Sequence, residues 1–197
     1  MRKVVVFNRV TLDGVFAAPD GNVDWFVRDP EVDEAAHALM SPDTLLLGRA
    51  TYEMLERAWR PALEDPGAPK QARQTAEELT RMDKLVFSRT LKKTDWEKTT
   101  RVSGDAPDRV RKLKQGSGGD LAIFGSGTVI DQLLPHGLID EMLLVVTPVV
   151  LGAGSGMFPR DLRVGLEVLN SRAFASGNLL LHYRIPGAAC DAPSAGA

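Results

Sequence analysis

LAIFGSGTVIDQLL, residues 121–134, places a strand, a turn and a helix in close succession. A short apolar run stops at Gly125-Ser126-Gly127, and the apolar residues after it recur at the spacing of a helix that begins at Thr128. Glycines let a backbone approach a ligand closely, and N–H groups at a helix start favour an anion. The turn is therefore either a phosphate cradle or a tight connection between two packed elements. It is not a dinucleotide fingerprint, because Ile130 stands where G-x-G-x-x-G needs its third glycine.

Two other strand ends carry turns of similar character. LLLGRATYEML, residues 45–55, runs from a strand into Gly48, and Arg49 and Thr51 follow at the start of a helix. KLVFSRTL, residues 84–91, ends a buried strand at Ser88-Arg89. An arginine in such a place commonly accommodates the 2′-phosphate of NADPH. Taken singly, each turn is also consistent with a plain loop that carries a surface arginine.

Strands and helices alternate along most of the chain. This order predicts a largely parallel sheet with helices on both faces, hence an α/β fold. Near the end, 165–174 and 179–185 alternate as a hairpin, which predicts an antiparallel edge. The other strands are expected at 3–10, 43–47, 83–88, 97–102, 121–124 and 138–147, the helices at 31–40, 49–60, 71–81, 107–115 and 128–134, and a Pro-rich loop at 61–69.

Composition narrows the class of protein. A net charge of -2 gives no general reason to expect nucleic acid or an anionic membrane as a partner. The single cysteine excludes an intramolecular disulfide, and three widely separated histidines predict no metal site. No signal peptide and no apolar run of transmembrane length is visible, so a cytoplasmic protein is expected. One domain is predicted over 1–185, and 186–197 is predicted to be a disordered tail.

The order of the motifs is more informative than any one of them. VTLDGVFA, LLLGRATYE, KLVFSRTL, LAIFGSGTVIDQLL and DEMLLVVTPVVLGAG follow one another along residues 1–185. In this order they resemble the dihydrofolate-reductase-like family, and most of all the stand-alone relatives of the riboflavin-biosynthesis reductase domain. The resemblance implies a three-layer fold with a mostly parallel sheet of about eight strands and an antiparallel C-terminal hairpin. It also implies a small-molecule substrate and suggests a homodimer.

The resemblance further implies NADPH as the cofactor and relates the turns to its parts. Gly48, Arg49 and Thr51 would meet the phosphates, and Ser88 and Arg89 the adenosine 2′-phosphate. The glycine turn would lie beside the pyrophosphate and nicotinamide, and the loop at 13–17 would flank the nicotinamide. The residues expected to contact NADPH are Val10, Phe16, Ala17, Gly48, Arg49, Thr51, Ser88, Arg89, Gly125, Ser126, Gly127, Thr128 and Val129.

The substrate side is less defined by sequence. Asp13 is a candidate catalytic group near the acceptor, acting through water, although aspartate is also an ordinary turn former. Asn8 and Trp25 are candidate substrate contacts, with core packing as the alternative for the tryptophan. A dihydrofolate reductase would need a carboxylate near the start of the helix after the first loop. Glu31, Asp33 and Glu34 are in that neighbourhood, where acids also serve as helix-dipole partners.

The chain departs from the riboflavin reductases in two places. Those enzymes usually carry a lysine on the first strand, where this chain has Asn8 and Arg9. They usually carry a glutamate directly before the glycine pair, where this chain has Phe124. Two functions follow as hypotheses: an NADPH-dependent reductase of a small heterocyclic substrate, and an NADPH-binding protein without catalysis.

Overall fold

One large sheet organises the molecule. The computed structural model describes residues 1–159 and 161–187. Its strands are β1 (Val4–Thr11), β2 (Val15–Ala17), β3 (Pro42–Gly48), β4 (Asp83–Phe87), β5 (Thr99–Val102), β6 (Asp120–Phe124), β7 (Glu141–Thr147), β8 (Ser155–Gly156), β9 (Glu167–Ala173) and β10 (Leu179–Arg184). Eight of them form a sheet in the order β5-β4-β3-β6-β1-β7-β10-β9, in which β10 runs antiparallel to both of its neighbours and the other pairs are parallel. The predicted sheet, with its antiparallel C-terminal hairpin, is confirmed.

Helices cover both faces of this sheet. They are α1 (Pro30–His37), α2 (Arg49–Trp59), α3 (Pro61–Glu64), α4 (Lys70–Arg81), α5 (Ala106–Lys114) and α6 (Gly127–Leu133). Along β1, Val4 and Val6 pack with α5 and α6, whereas Val5 packs with α1. Along β3, Leu46 joins the α5–α6 side and Leu45 packs with α2 and α4. Because successive strand side chains point to opposite faces, this alternation produces three layers.

Two predicted boundaries, the end of a helix and the start of a strand, are wrong by about three residues. The helix expected at 31–40 ends at His37, because the chain then leaves the helix and Met40 enters the core beneath α1. The strand expected at 138–147 begins at Glu141, after Leu138 and Ile139 have packed into the core on the α5–α6 side. Both errors arise because buried apolar residues in a loop were assigned to the neighbouring helix or strand.

One short helix and one pair of short strands were not predicted from the sequence. The Pro-rich segment at 61–69 contains α3, since Pro61 occupies a first helical position, where its missing N–H costs nothing. β2 and β8 form a separate antiparallel pair, and two or three residues are too few to show alternation.

Two expectations concern the chain as a whole. Among the described residues, no helix has the length and apolarity needed to cross a bilayer. The predicted tail at 186–197 lies outside the described residues from position 188 onward.

Candidate functional site

A crevice opens beside β1 at the carboxyl end of the sheet. The β1–β6 ladder ends at Phe7 and Phe124, whereas the β1–β7 ladder continues to Thr11. The carbonyls of Lys3 and Phe7 accept hydrogen bonds from the β6 side, at 2.7 and 3.4 Å. Main-chain groups of alternate residues point to the same neighbour, so the N–H and C=O of Arg9 face the side that β6 has left. Open α/β sheets bind ligands in crevices of this kind.

The turns that follow β3 and β6 meet in one hydrogen-bonded junction. The N–H of Gly48 donates to Ser126 Oγ at 2.8 Å, and the Ser126 hydroxyl donates to Thr51 Oγ1 at 2.8 Å. A Cβ added to Gly48 would lie 3.0 Å from Thr128 Oγ1. Ser126 itself is left-handed, with φ of +56°, a conformation that costs roughly 1–2 kcal/mol for a residue with a side chain. Two turns that are distant in sequence therefore form a single surface.

The helices that begin at this junction start without a side-chain cap. Asp29 caps α1 and Asp105 caps α5, each accepting a hydrogen bond from an N–H of the first turn. Gly48 and Ser126 precede α2 and α6, and neither provides a side-chain cap. The first N–H groups of a helix need partners from outside it. At α6 the N–H of Val129 already donates to the Ser126 carbonyl at 2.8 Å, so α2 is the helix whose start is better suited to an anionic ligand.

A second part of the site lies near the end of β4. Ser88 Oγ accepts from the N–H groups of Thr90 and Leu91, at 3.1 and 2.9 Å, and so shapes the turn. Arg89 is exposed, and Arg49 is half-exposed with Glu53 at 3.8 Å. A cavity of about 450 Å³ lies between this turn, the start of α5 and the outer face of α6. Its lining includes Arg89, Ser103, Gly104, Asp105, Asp131 and Gln132.

Gln132 is a residue of this cavity that sequence reasoning missed. It stands four positions after Thr128, and its Nε2 donates to the Thr128 carbonyl at 2.8 Å. Residues four apart lie on one face of a helix. That spacing was the signal that could have linked Gln132 to the glycine turn.

The loop at 13–17 closes over the glycine turn. A Cβ added to Gly127 would lie 3.1 Å from Phe16 Cε1, so the two are in close contact. Asp13 fixes the loop from the other side, since its carboxylate accepts from the N–H groups of Gly152 and Leu151, at 2.8 and 3.3 Å. A hydrogen bond with Thr11 and these amides lower the pKa of Asp13. An ionised carboxylate is a poor proton donor at neutral pH, so its surroundings favour an anchoring role, and the catalytic role stays a prediction.

Three buried donors near β1 lack an acceptor within the described part of the chain: Asn8 Nδ2, Arg9 Nη1 and Trp25 Nε1. Asn8 lies on the same side of the strand as Val6 and Val10, which pack toward α5 and α6. Arg9 therefore lies on the α1 side. Buried polar groups in native proteins are nearly always hydrogen-bonded, so the unpaired donors of Asn8 and Arg9 single out the end of β1 as a candidate binding site.

The acids of α1 have different partners. Asp33 pairs with Arg9, Glu31 pairs with Arg172 of β9, and Glu34 is exposed. Asp33 is thus the carboxylate that faces the crevice side of β1. The Arg9–Asp33 pair was not predicted, because sequence does not fix the register of α1 over the sheet. No group of three or more potential metal-ligating side chains is found within 1–159 and 161–187.

Comparison with known proteins identifies relatives along nearly the whole chain. Residues 2–180 match the protein family described as the RibD C-terminal domain. The chain is also 32% identical, over 187 residues, to the uncharacterized protein YyaP of Bacillus subtilis (strain 168). That alignment covers 94% of this chain and 96% of the relative.

Solved structures share the fold. A putative riboflavin biosynthesis protein from Shewanella sp. PV-4 superposes with a TM-score of 0.69 at 22% identity, covering 93% of this chain and 99% of that one. A dihydrofolate reductase from Enterococcus faecalis, complexed with NADP(H) and RAB-propyl, gives 0.62 at 16% identity, covering 93% and 96%. At these identities the likeness shows the fold alone, and that fold is dihydrofolate-reductase-like. The resemblance drawn from the order of motifs is therefore confirmed.

Proposed function

Because the chain belongs to the RibD C-terminal domain family, we propose that it is an NADPH-dependent reductase of a small heterocyclic substrate. The observation that carries the proposal is the junction of Gly48, Thr51 and Ser126 beside the opened ladder of β1. This junction joins two uncapped helix starts to a crevice with unpaired donors. Such a surface suits a long ligand that has phosphates at one end and a polar ring at the other.

The arrangement of residues along the crevice supports one orientation of NADPH. Arg89 and Ser88 would hold the 2′-phosphate, with the adenosine in the neighbouring cavity. Arg49 and the start of α2 would hold the phosphates, since a guanidinium is a forked donor. The nicotinamide would lie beside Val10, where the N–H and C=O of Arg9 face the side that β6 has left and match a carboxamide. When bound, NADPH supplies the hydride, and the protein supplies orientation and a dry site.

The remaining residues of the proposed cofactor site would contact NADPH along the same surface. Gly125, Gly127 and Thr128 would approach the pyrophosphate through their backbone, and Phe16 packs against Gly127 beside them. The loop from Asp13 to Ala17 would cover the nicotinamide. The full set is Val10, Phe16, Ala17, Gly48, Arg49, Thr51, Ser88, Arg89, Gly125, Ser126, Gly127, Thr128 and Val129.

One observation supports the alternative of NADPH binding without turnover. Asp13, the candidate proton source, has a lowered pKa and accepts hydrogen bonds from a neighbouring loop. An enzyme would then need its proton from water or from the substrate side of the crevice. Turnover with any substrate would exclude the alternative.

A cofactor titration tests the proposal. We expect NADPH to bind the wild-type protein, as followed by calorimetry, and Arg49→Ala to weaken binding at least tenfold, because one charge-assisted phosphate contact is lost. Arg57→Ala is the matched control, since Arg57 is an exposed arginine in the last turn of the same helix. No binding at millimolar NADPH, or an equal effect of both variants, would refute the proposal.

NADPH consumption tests the substrate class. The ribosylamino-pyrimidine phosphate of riboflavin biosynthesis and dihydrofolate are tested side by side, with absorbance at the nicotinamide band as the readout. We expect turnover with the ribosylamino-pyrimidine phosphate and none with dihydrofolate, because the chain belongs to the RibD C-terminal domain family and its crevice-side acid, Asp33, is already paired with Arg9. Such a reaction would take place in the cytoplasm, where the sequence predicts this protein to be.

We also propose a homodimer in which a second copy covers β9. This edge strand is exposed along all seven of its residues, Val168 by 64% and Leu169 by 43%. An uncovered apolar edge strand invites pairing with another chain. Light scattering should give the mass of a dimer, and Val168→Lys should shift it toward a monomer.

A further inference from the structure

The segment 88–98 joins β4 to β5 and carries Arg89 near its start. It contains no strand or helix, so its path depends on the side chains that anchor it. Arg89 itself is exposed and lines the cavity at the start of α5. An exposed arginine binds an anion tightly only where its main chain is already held, because ordering a free loop on binding costs conformational entropy.

Two apolar side chains insert the segment into the core. Leu91 is 5% exposed and Trp96 is 2% exposed, and both belong to the buried cluster in which β3 and β4 pack with α2 and α4. Leu91 lies two residues after Arg89, and its carbonyl accepts a hydrogen bond from Arg101 of β5 at 3.1 Å. The core contacts of the segment therefore begin within two residues of the exposed arginine.

Trp96 ties this segment to two helices. Its indole Nε1 donates to Thr80 Oγ1 of α4 at 2.8 Å, and its main-chain N–H donates to Tyr52 Oη of α2 at 3.3 Å. Tyr52 directly follows Thr51, whose hydroxyl belongs to the junction of the two turns. Trp96 thus links the segment that carries Arg89 to the helix that begins beside this junction.

A buried ammonium fixes the orientation of the indole. Lys84 Nζ lies 4.8 Å from the centre of the Trp96 ring. It donates to the main-chain carbonyls of Leu79, Thr80 and Met82, at 2.7, 3.3 and 2.8 Å. An ammonium has three donors, so all of them are used and the charge stays beside the ring. Because a desolvated cation over an aromatic face stabilises that contact, the indole is held at its face as well as at its N–H.

We propose that Trp96 is a positioning residue for the 2′-phosphate of NADPH: it holds the segment 88–98 against α2 and α4, so that Arg89 and the start of α2 meet one dinucleotide. The inference rests on the proposed function, in which Arg89 binds the 2′-phosphate and α2 the other phosphates. Trp96 is buried, so it acts through the main chain of the segment rather than by touching the ligand. Weakening its ties lets the segment move in the free protein, and binding must then order it.

A double-mutant cycle with Arg89 tests this role. NADPH is titrated by calorimetry into wild type, Trp96→Phe, Arg89→Ala and the double variant. Trp96→Phe keeps an aromatic ring in the core and removes the indole N–H. We expect Arg89→Ala to weaken NADPH binding at least tenfold and Trp96→Phe to weaken it about fivefold. In the Arg89→Ala background, Trp96→Phe should change the affinity by less than about twofold, because the group that it positions is gone.

Two further variants separate positioning from folding, with every titration run well below the unfolding temperature of each protein. Thr80→Val keeps the shape of the side chain and removes the acceptor of the indole N–H, so it should act like Trp96→Phe in both backgrounds. Trp59→Phe is the matched control, since Trp59 packs against the same cluster from the end of α2. It should leave NADPH affinity unchanged in both backgrounds.

Several results would overturn the inference: unchanged NADPH affinity in Trp96→Phe or Thr80→Val, an equal loss in both backgrounds, or the same loss in Trp59→Phe. Unchanged affinity in Arg89→Ala would also overturn it, because the segment would then hold no group that binds the ligand. The proposed cofactor function would stand in all these cases, since the wild type would still bind NADPH. Failure of the wild type to bind millimolar NADPH would instead refute the proposed function, and the inference with it.

Discussion

Buried polar groups differ between the two ends of the parallel strands, which are called here the amino edge and the carboxyl edge of the sheet. At the amino edge, Lys84 is fully buried, and its Nζ donates to the carbonyls of Leu79, Met82 and Thr80, at 2.7, 2.8 and 3.3 Å. At the carboxyl edge, Asn8 Nδ2 and Arg9 Nη1 are buried with no acceptor among the described residues. The same chain thus satisfies a buried cation completely at one edge and leaves donors open at the other.

Other contacts extend the contrast. Glu141, at the start of β7, bonds to His182 at 2.9 Å and to Lys3 at 3.0 Å. Asp140 accepts from the N–H of Val4 at 2.7 Å and also pairs with Lys114. The amino edge is therefore built for stability. Unpaired donors at the carboxyl edge lower stability in the free protein, which agrees with the ligand site proposed there.

The largest effect should come from breaking the amino edge at Lys84. Burial lowers the pKa of Lys84 to about 8, and its Nζ serves the last carbonyls of α4. Lys84→Ala leaves those carbonyls unpaired and opens a cavity, so we expect the free energy of unfolding to fall by about 4 kcal/mol. Urea denaturation measures this. Lys98→Ala is the control, since exposed Lys98 donates to the carbonyl of Arg81 alone among the described residues, and the change should cost less than about 1 kcal/mol.

The next effect concerns the junction at the carboxyl edge. Ser126→Ala removes the acceptor of the buried Gly48 N–H, which should cost about 2 kcal/mol. It should also weaken NADPH binding. Ser126→Gly loses the same hydrogen bond but relieves the left-handed strain, so it should be roughly 1 kcal/mol more stable than the alanine variant. Thermal unfolding compares the two, and an alanine variant as stable as wild type would show that the Gly48–Ser126 hydrogen bond does not stabilise the junction.

The order of the motifs along the sequence predicted the turns that form the carboxyl edge. The turns at Gly48 and Gly125 were expected to meet one ligand, and the parallel order of the strands brings them together. Carboxyl ends of parallel strands share one edge, so strand order alone sets this proximity. The sheet and its antiparallel hairpin follow from the same alternation of elements.

What sequence could not predict depends on distances between elements. The Arg9–Asp33 pair needs the register of α1 over β1, and no local pattern sets it. The unpaired donors of Asn8 and Trp25 are visible only once every neighbouring acceptor has a position. Lys84 is the clearest example: nothing in the sequence KLVF shows that this lysine is buried and that its Nζ donates to the Leu79 carbonyl near the end of α4.

A gain of stability should appear at the carboxyl edge. Asn8 is buried and its Nδ2 has no partner in the described ranges, so Asn8→Leu exchanges an unpaired donor for apolar surface of similar volume. We expect the free energy of unfolding to rise by about 1 kcal/mol, with a loss of ligand binding. Urea denaturation without ligand is the measurement. Thr147→Val is the opposite control, because its buried hydroxyl is paired with Asn178 at 3.1 Å and its removal should destabilise. Destabilisation by Asn8→Leu would mean that Asn8 has a structural partner after all.

The smallest effect is the pH dependence of the amino edge. Although burial opposes it, hydrogen bonds from Lys3 and His182 lower the pKa of Glu141 below its ordinary value of 4.5. A carboxyl group with a lowered folded-state pKa contributes stability above its unfolded pKa, and that contribution is lost as the pH falls through the folded value. Wild type should therefore lose its advantage over Glu141→Gln between pH 6 and pH 3, by less than about 1 kcal/mol because Lys3 is half exposed. Glu167→Gln, at an exposed pair with Arg184, should show no such convergence in urea denaturation at the two pH values. A constant difference between wild type and Glu141→Gln would show that burial, rather than charge pairing, governs this carboxyl group.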